Sequence, residues 1–190
     1  HTTPVSIASG KRLSGAITLT AGSIKLGEAG TLASTLSMSG GTLDADESMT
    51  LSGALSQAGS ITIDVADNKT LSYSGDEIDL GAYTLTMSGE GTFSNSNDLV
   101  LNNASSKLLL SNSITVDNVS TSADSLGLDV DANSTVSSLT VAHTTPVSIA
   151  STKTLSGAIT ITAGSIKLGE AGTLASTLSM SGGTLDADNS

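Results

Sequence analysis

The side chains in this sequence that could do chemistry are its carboxylates, two histidines and long rows of threonine. Asp46 and Asp64 fall at equivalent places in successive sequence units, with Asp44 and Glu47 beside them. Asp76, Glu77 and Asp79 form a second group, and Asp129 and Asp131 a third. Calcium takes several oxygen ligands at once, so carboxylates at the edge of a turn are where to look for it. Asp44, Asp46 and Asp64 are the calcium candidates on that ground. The ligand spacing of an EF-hand is missing, and so is the Gly-Gly-x-Gly-x-Asp run of calcium-binding β-rolls. The expectation is no bound cofactor, with calcium as the exception to test. The plain role of these groups is an acidic surface that keeps the chain soluble.

Hydrolysis of polysaccharides needs two carboxylates across a cleft, about 5–9.5 Å apart. Lyases of similar shape also need a cationic base or clamp. The chain has one arginine, Arg12, and the equivalent place later in the sequence holds Thr154. Its two histidines, His1 and His143, occupy equivalent positions and read as corner residues. No nucleophile elbow, metal-ligand spacing or phosphate-binding glycine loop is present. The expectation is a protein that is not an enzyme.

The threonines are the most regular feature. Thr31, Thr50, Thr70, Thr92, Thr135, Thr154 and Thr173 each precede an apolar residue at a nearly constant interval, with Arg12 and Leu109 interrupting the row. Serines such as Ser14, Ser52, Ser72, Ser94 and Ser137 follow the same apolar residues. Threonine has high β propensity and stacks on itself, and serine suits a following turn. The alternative is a binding face for ice or carbohydrate.

Such rows act together only if the chain stacks them, and the spacing says how. Leu13, Leu32, Leu51, Leu71, Phe93, Leu110, Val136, Leu155 and Leu174 are separated by 19, 19, 20, 22, 17, 26, 19 and 19 residues. Within each unit apolar and polar residues alternate, as Ile17-Thr18-Leu19 and Ile24-Lys25-Leu26 do, between turns rich in Gly, Ser and Asp. That is the period of short half-buried strands, three to a unit. No such unit buries a core alone. Stacked coils do, each strand pairing in parallel with its equivalent in the next. The expected fold is an all-β parallel β-solenoid (β-helix) of about 9–10 coils of ~19–20 residues, three short strands per coil. In this register Lys25 sits over Asp44, and Lys167 over Asp186. The 26-residue unit is expected to carry a protruding loop within 117–125.

A longer period encloses the short one. Residues 143–190 repeat residues 1–48 with four differences: Gly10/Thr152, Arg12/Thr154, Leu19/Ile161 and Glu47/Asn189. The domain reading is one seven-coil solenoid repeat over 1–142, followed at 143–190 by the start of the next, continuous with the first. The chain limits read as the cut ends of a longer array.

Composition narrows the function. With one Phe, two Tyr, no Trp and no Cys, the core must be thin and aliphatic. A net charge of −11 with seven basic residues argues against nucleic acid, which requires clustered cations. No apolar run reaches the length of a membrane span, so membrane insertion is not expected. Coils such as SGAITLTAGSIKLGEAGTL and ASTLSMSGGTLDADESMTL resemble right-handed parallel β-helix repeat proteins of the bacterial surface, of the filamentous-haemagglutinin or autotransporter-adhesin type. The likeness spans nearly the whole chain. It implies an extracellular or cell-surface stalk, adhesin, fibre or biofilm-matrix component. The implied partners are further copies of itself, joined end to end or laterally, and host or matrix glycans.

Overall fold

A computed structural model describes residues 4–187 of the chain. It is an all-β parallel solenoid of about nine turns, with three strands per coil and three sheets. His1 and Asn189 lie outside the described residues.

Among the described residues sheet A has ten strands in simple order: Val5–Ile7, Ser23–Leu26, Thr42–Ala45, Ile61–Val65, Thr84–Gly89, Lys107–Leu110, Gly127–Val130, Pro146–Ile149, Ser165–Leu168 and Thr184–Asp186. Sheet B begins with Arg12–Leu13, Thr31–Leu32, Met49–Leu51, Thr70–Tyr73 and Thr92–Asn95. The third side is Ile17–Leu19, Leu36–Met38 and Leu55–Gln57, followed by Ile78–Asp79 and Leu99–Leu101. From Thr115–Thr121 onward, through Ser134–Val141, Thr154–Ile161 and Thr173–Met180, one strand runs along both the second and third sides. Strand pairing among the described residues is parallel, as coil stacking requires. Pro146–Ile149 repeats the residues of Val5–Ile7, and it lies seven strands further along sheet A.

Alternation decides what is inside. In Ile61–Val65 the apolar Ile61, Ile63 and Val65 are buried while Thr62 and Asp64 are half-exposed. The stacked inward residues form one continuous aliphatic core from Ile7 to Ile166. Phe93 is fully buried, with Tyr73 stacked on it at 6.1 Å between ring centroids. The Tyr73 hydroxyl accepts the Leu55 N–H at 3.2 Å, which satisfies its one polar group. At the corner after Thr92–Asn95, the buried Asn95 donates to the Asn118 carbonyl at 2.8 Å, and Asn118 donates back to the Asn95 carbonyl at 2.6 Å. Corners elsewhere pack backbone on backbone. A Cβ at Gly53 would come within 1.8 Å of the Ser34 carbonyl oxygen. Gly89, with φ +88°, is excluded from carrying one on both steric and conformational grounds.

Several expected positions are corrected. Leu71 stacks on Met49, and Leu51 lies beside Tyr73. The coil through Tyr73 thus shifts by two residues, a step that keeps every side chain on its own face. Leu110 is not in the row of Phe93. It belongs to sheet A, paired with Met87 and Val130, and Val116 takes the place beside Phe93. Alternation puts Leu108 and Leu110 inside and leaves Leu109 facing out of sheet A. The enlarged coils are those from Ile63 to Met87 and from Met87 to Leu110, not the one through 117–125. Residues 117–121 belong to strand Thr115–Thr121, with Val119 buried.

Removal of the largest core side chain tests the interior. Phe93→Ala is expected to cost about 3–5 kcal/mol in urea unfolding, whereas Thr92→Ala, on the outer surface, costs under about 1 kcal/mol.

Candidate functional site

The outward positions of sheet A hold Asp44 and Asp64, and Asp46 follows the end of strand Thr42–Ala45. Asp44 and Asp64 are direct neighbours on adjacent strands. This corrects the expected pairing of Asp46 with Asp64; the two-residue phase of each strand assigns Asp44 to that place. Lys25 lies beside Asp44 in the strand below and contacts two carboxylates, Asp44 Oδ2 at 2.9 Å and Asp46 Oδ2 at 2.8 Å. Asp64 Oδ1 accepts the Ser88 hydroxyl at 2.7 Å. One oxygen of each carboxylate, Asp44 Oδ2 and Asp64 Oδ1, is therefore engaged within the protein. Lys69 bridges to Glu47 at 2.5 Å, and Lys107 to Asp129 at 2.5 Å. Each of these ion pairs ties one coil to the next. Lys167 and Asp186 are neighbours in the same register as Lys25 and Asp44.

The electrostatics follow from these contacts. Hydrogen bonds to Asp46 and Asp44 raise the Lys25 ammonium above its ordinary value. The hydrogen bond from Lys25 holds the Asp46 carboxyl below its ordinary value. Burial pushes Asp44 up, because removal from water disfavours the charged form. Asp124 is held low by the Thr144 backbone N–H, which it accepts at 2.9 Å, and the neighbouring His143 adds to the effect. His143 itself sits at an exposed corner with φ 62°.

The other acidic groups are separate. Asp76 and Glu77 are exposed at the corner before Ile78–Asp79. Asp79 Oδ1 accepts the Gly81 N–H at 2.8 Å, which closes a tight turn. Among the described residues no group of three or more His, Cys, Asp or Glu is arranged to hold a metal ion.

The threonine row is real but stepped. Thr31 lies beside Thr50. Thr50 is then beside Ser72, because the coil through Tyr73 shifts by two. Thr70, Thr92, Thr115 and Thr135 form a continuous run. Thr115 fills the place where Leu109 was expected, a consequence of Leu109 belonging to sheet A. Thr135 is beside Ser156, two positions past Thr154, and a bulge follows further along, between Val136 and Ser138. Thr154 and Thr173 are again neighbours, and Arg12 stands beside Thr31. The seven threonines thus fall into three segments. Next to the central run, Asp117 accepts hydroxyls from Ser94 at 2.7 Å and Ser137 at 2.8 Å. Sequence reasoning missed Thr115 and this serine–aspartate clasp. The signal for both was Val116, an apolar residue between Thr115 and Asp117, which fixes the phase at the start of that strand.

No family profile, curated protein or solved structure matches the chain.

Acid titration checks the carboxylate environments. A carboxyl whose pKa is depressed by folding supplies stability above its unfolded value, and that stability is lost as pH falls through the folded one. Asp46 and Asp124 act in this sense, and Asp44 opposes them. The melting temperature of Asp124→Ala is therefore expected to fall less than that of the parent between about pH 5 and pH 2.5.

Proposed function

We propose that this chain is a structural and adhesive extracellular rod. Tandem copies of the 142-residue repeat, read over 1–142 and resumed at 143–190, would give mechanical reach and surface display. The observation that carries the reading is the return of the same residues to the same sheet seven strands along: Lys25 beside Asp44 recurs as Lys167 beside Asp186. A rod that repeats its surface at a fixed axial interval suits a stalk, fibre or matrix component. It suits a catalyst poorly, since each repeat would duplicate the site. The resemblance to filamentous-haemagglutinin and autotransporter-adhesin coils supports a place outside a bacterial cell, with glycans or further copies as partners.

A second reading rests on the run Thr70–Thr92–Thr115–Thr135. It makes the hydroxyl-bearing side of the rod a face for ice or carbohydrate. Four threonines in register at about 4.8 Å intervals support it. The steps at Thr50/Ser72 and Thr135/Ser156 weigh against a longer flat array.

Electron microscopy of proteins with one, two and three copies of the repeat tests the rod. Length is expected to grow by about 34 Å per repeat, seven strand spacings of roughly 4.8 Å. Particles whose length does not scale with copy number would overturn the proposal. A flat thermal-hysteresis measurement removes the ice reading alone.

A further inference from the structure

The outward residues of sheet A form an ordered charge pattern along the rod. Strand by strand it reads Lys25, Asp44, Asp64, then Thr86, Leu109, Asp129, Ser148, Lys167 and Asp186. Leu109 lies on the sixth of the ten strands. It is a half-exposed leucine on a face otherwise made of charged, hydroxyl and small groups.

The pattern is complementary to its own reverse. Turn a second copy end for end about an axis through Leu109 and lay its sheet A on the first. Lys25 then faces Asp186 of the second copy, and Asp44 faces Lys167. Asp64 faces Ser148, and Thr86 faces Asp129. The two Leu109 side chains meet at the axis. Parallel alignment would instead oppose each charge to its own kind. The symmetry comes from the duplication, because Lys167 and Asp186 are the second copies of Lys25 and Asp44. The first three charges sit one outward position further along their strands than the last two. That offset is about 6.6 Å, within reach of a lysine side chain. Lys107 meets its twin across the axis, but each is held by its own Asp129 at 2.5 Å.

We propose that sheet A is a self-association face on which two copies pack antiparallel about Leu109. The overlap takes in nine strands of each copy, Ser23–Leu26 to Thr184–Asp186. They cover about 38 Å of rod, and four residues per strand cover about 13 Å. Two such faces remove about 1,000 Å² together, the lower limit for a specific interface. Opposite charges set the orientation more than the strength. Tandem repeats would add the same contacts at every period, so weak single contacts become strong in an array. The pairing stands on the register of sheet A and holds whether or not the rod works outside a cell.

The absence of cysteine makes a direct test available. Leu109→Cys carries a single thiol per copy, and oxidation joins two of them in a disulfide dimer if the two copies meet at this position. A Ser137→Cys control, on another side of the rod, stays monomeric. In sedimentation equilibrium the parent is expected to form dimers, and Leu109→Glu weakens them at least about tenfold. The double variants Lys25→Asp/Lys167→Asp and Asp44→Lys/Asp186→Lys are each expected to be folded monomers that dimerise when mixed. Equal cross-linking at positions 109 and 137, a monomeric parent, or dimers indifferent to these substitutions would overturn the proposal. Rod length in the microscope is unaffected by any of these results, so failure here leaves the rod itself standing.

Discussion

Parallel pairing of each coil with the next is the constraint on which the rest of this structure depends. A coil of three short strands has too little apolar surface to hold itself together. Its inward residues are covered only when a neighbour supplies the same alternation at the same height. Register can therefore slip in steps of two, which preserve the inward face, or by a bulge that takes up one extra outward residue. The structure uses that freedom. The coil through Tyr73 shifts by two residues against Leu51, and the bulge after Val136 absorbs another irregularity. The aliphatic core remains continuous through both.

The same constraint sorts the charges. Every lysine lies on sheet A or on the corner that leads from it to sheet B, and Arg12 opens the first strand of sheet B. Carboxylates from the coil above or below meet these cations, as Glu47 meets Lys69 and Asp129 meets Lys107. The second and third sides are dominated by Thr, Ser and Ala, with an acidic knob at Asp76, Glu77, Asp79 and Asp98. Over the backbone pairing and core that hold every side, side-chain bonding between coils is largely ionic on one side of the rod. On the others it comes from hydroxyls and amides such as Asn95 with Asn118 and Ser94 with Asp117.

Alternation was legible in the sequence and side assignment was not. The solenoid, its parallel strands and nearly all of its inward residues follow from period-two patterning and the spacing of short units. Yet the same motif serves different corners. TLSMSGGTL at 35–43 passes from the third side to sheet A, while TLTMSGEGTF at 84–93 passes from sheet A to sheet B. Local sequence fixes in and out because burial depends on one strand. It leaves open which side a strand occupies, because that depends on the residues accumulated in all earlier turns. Leu110 was misassigned for this reason, and Leu109 and Thr115 with it. The candidate residues fared accordingly: Lys25 over Asp44 was readable from a regular stretch of 19-residue coils, but Asp44 beside Asp64 was not.

The most direct measurement is dipolar broadening between paired nitroxide labels on cysteines introduced outside the core. Thr92 and Thr115 are neighbours across sheet B, whereas Thr92 and Leu109, closer in sequence, lie on different sheets. Labels at 92 and 115 are predicted to couple strongly, at adjacent-strand separation of about 4.8 Å between backbones, and labels at 92 and 109 not to couple. Strong coupling in the 92/109 pair, or none in the 92/115 pair, would contradict the stacking of coils described here.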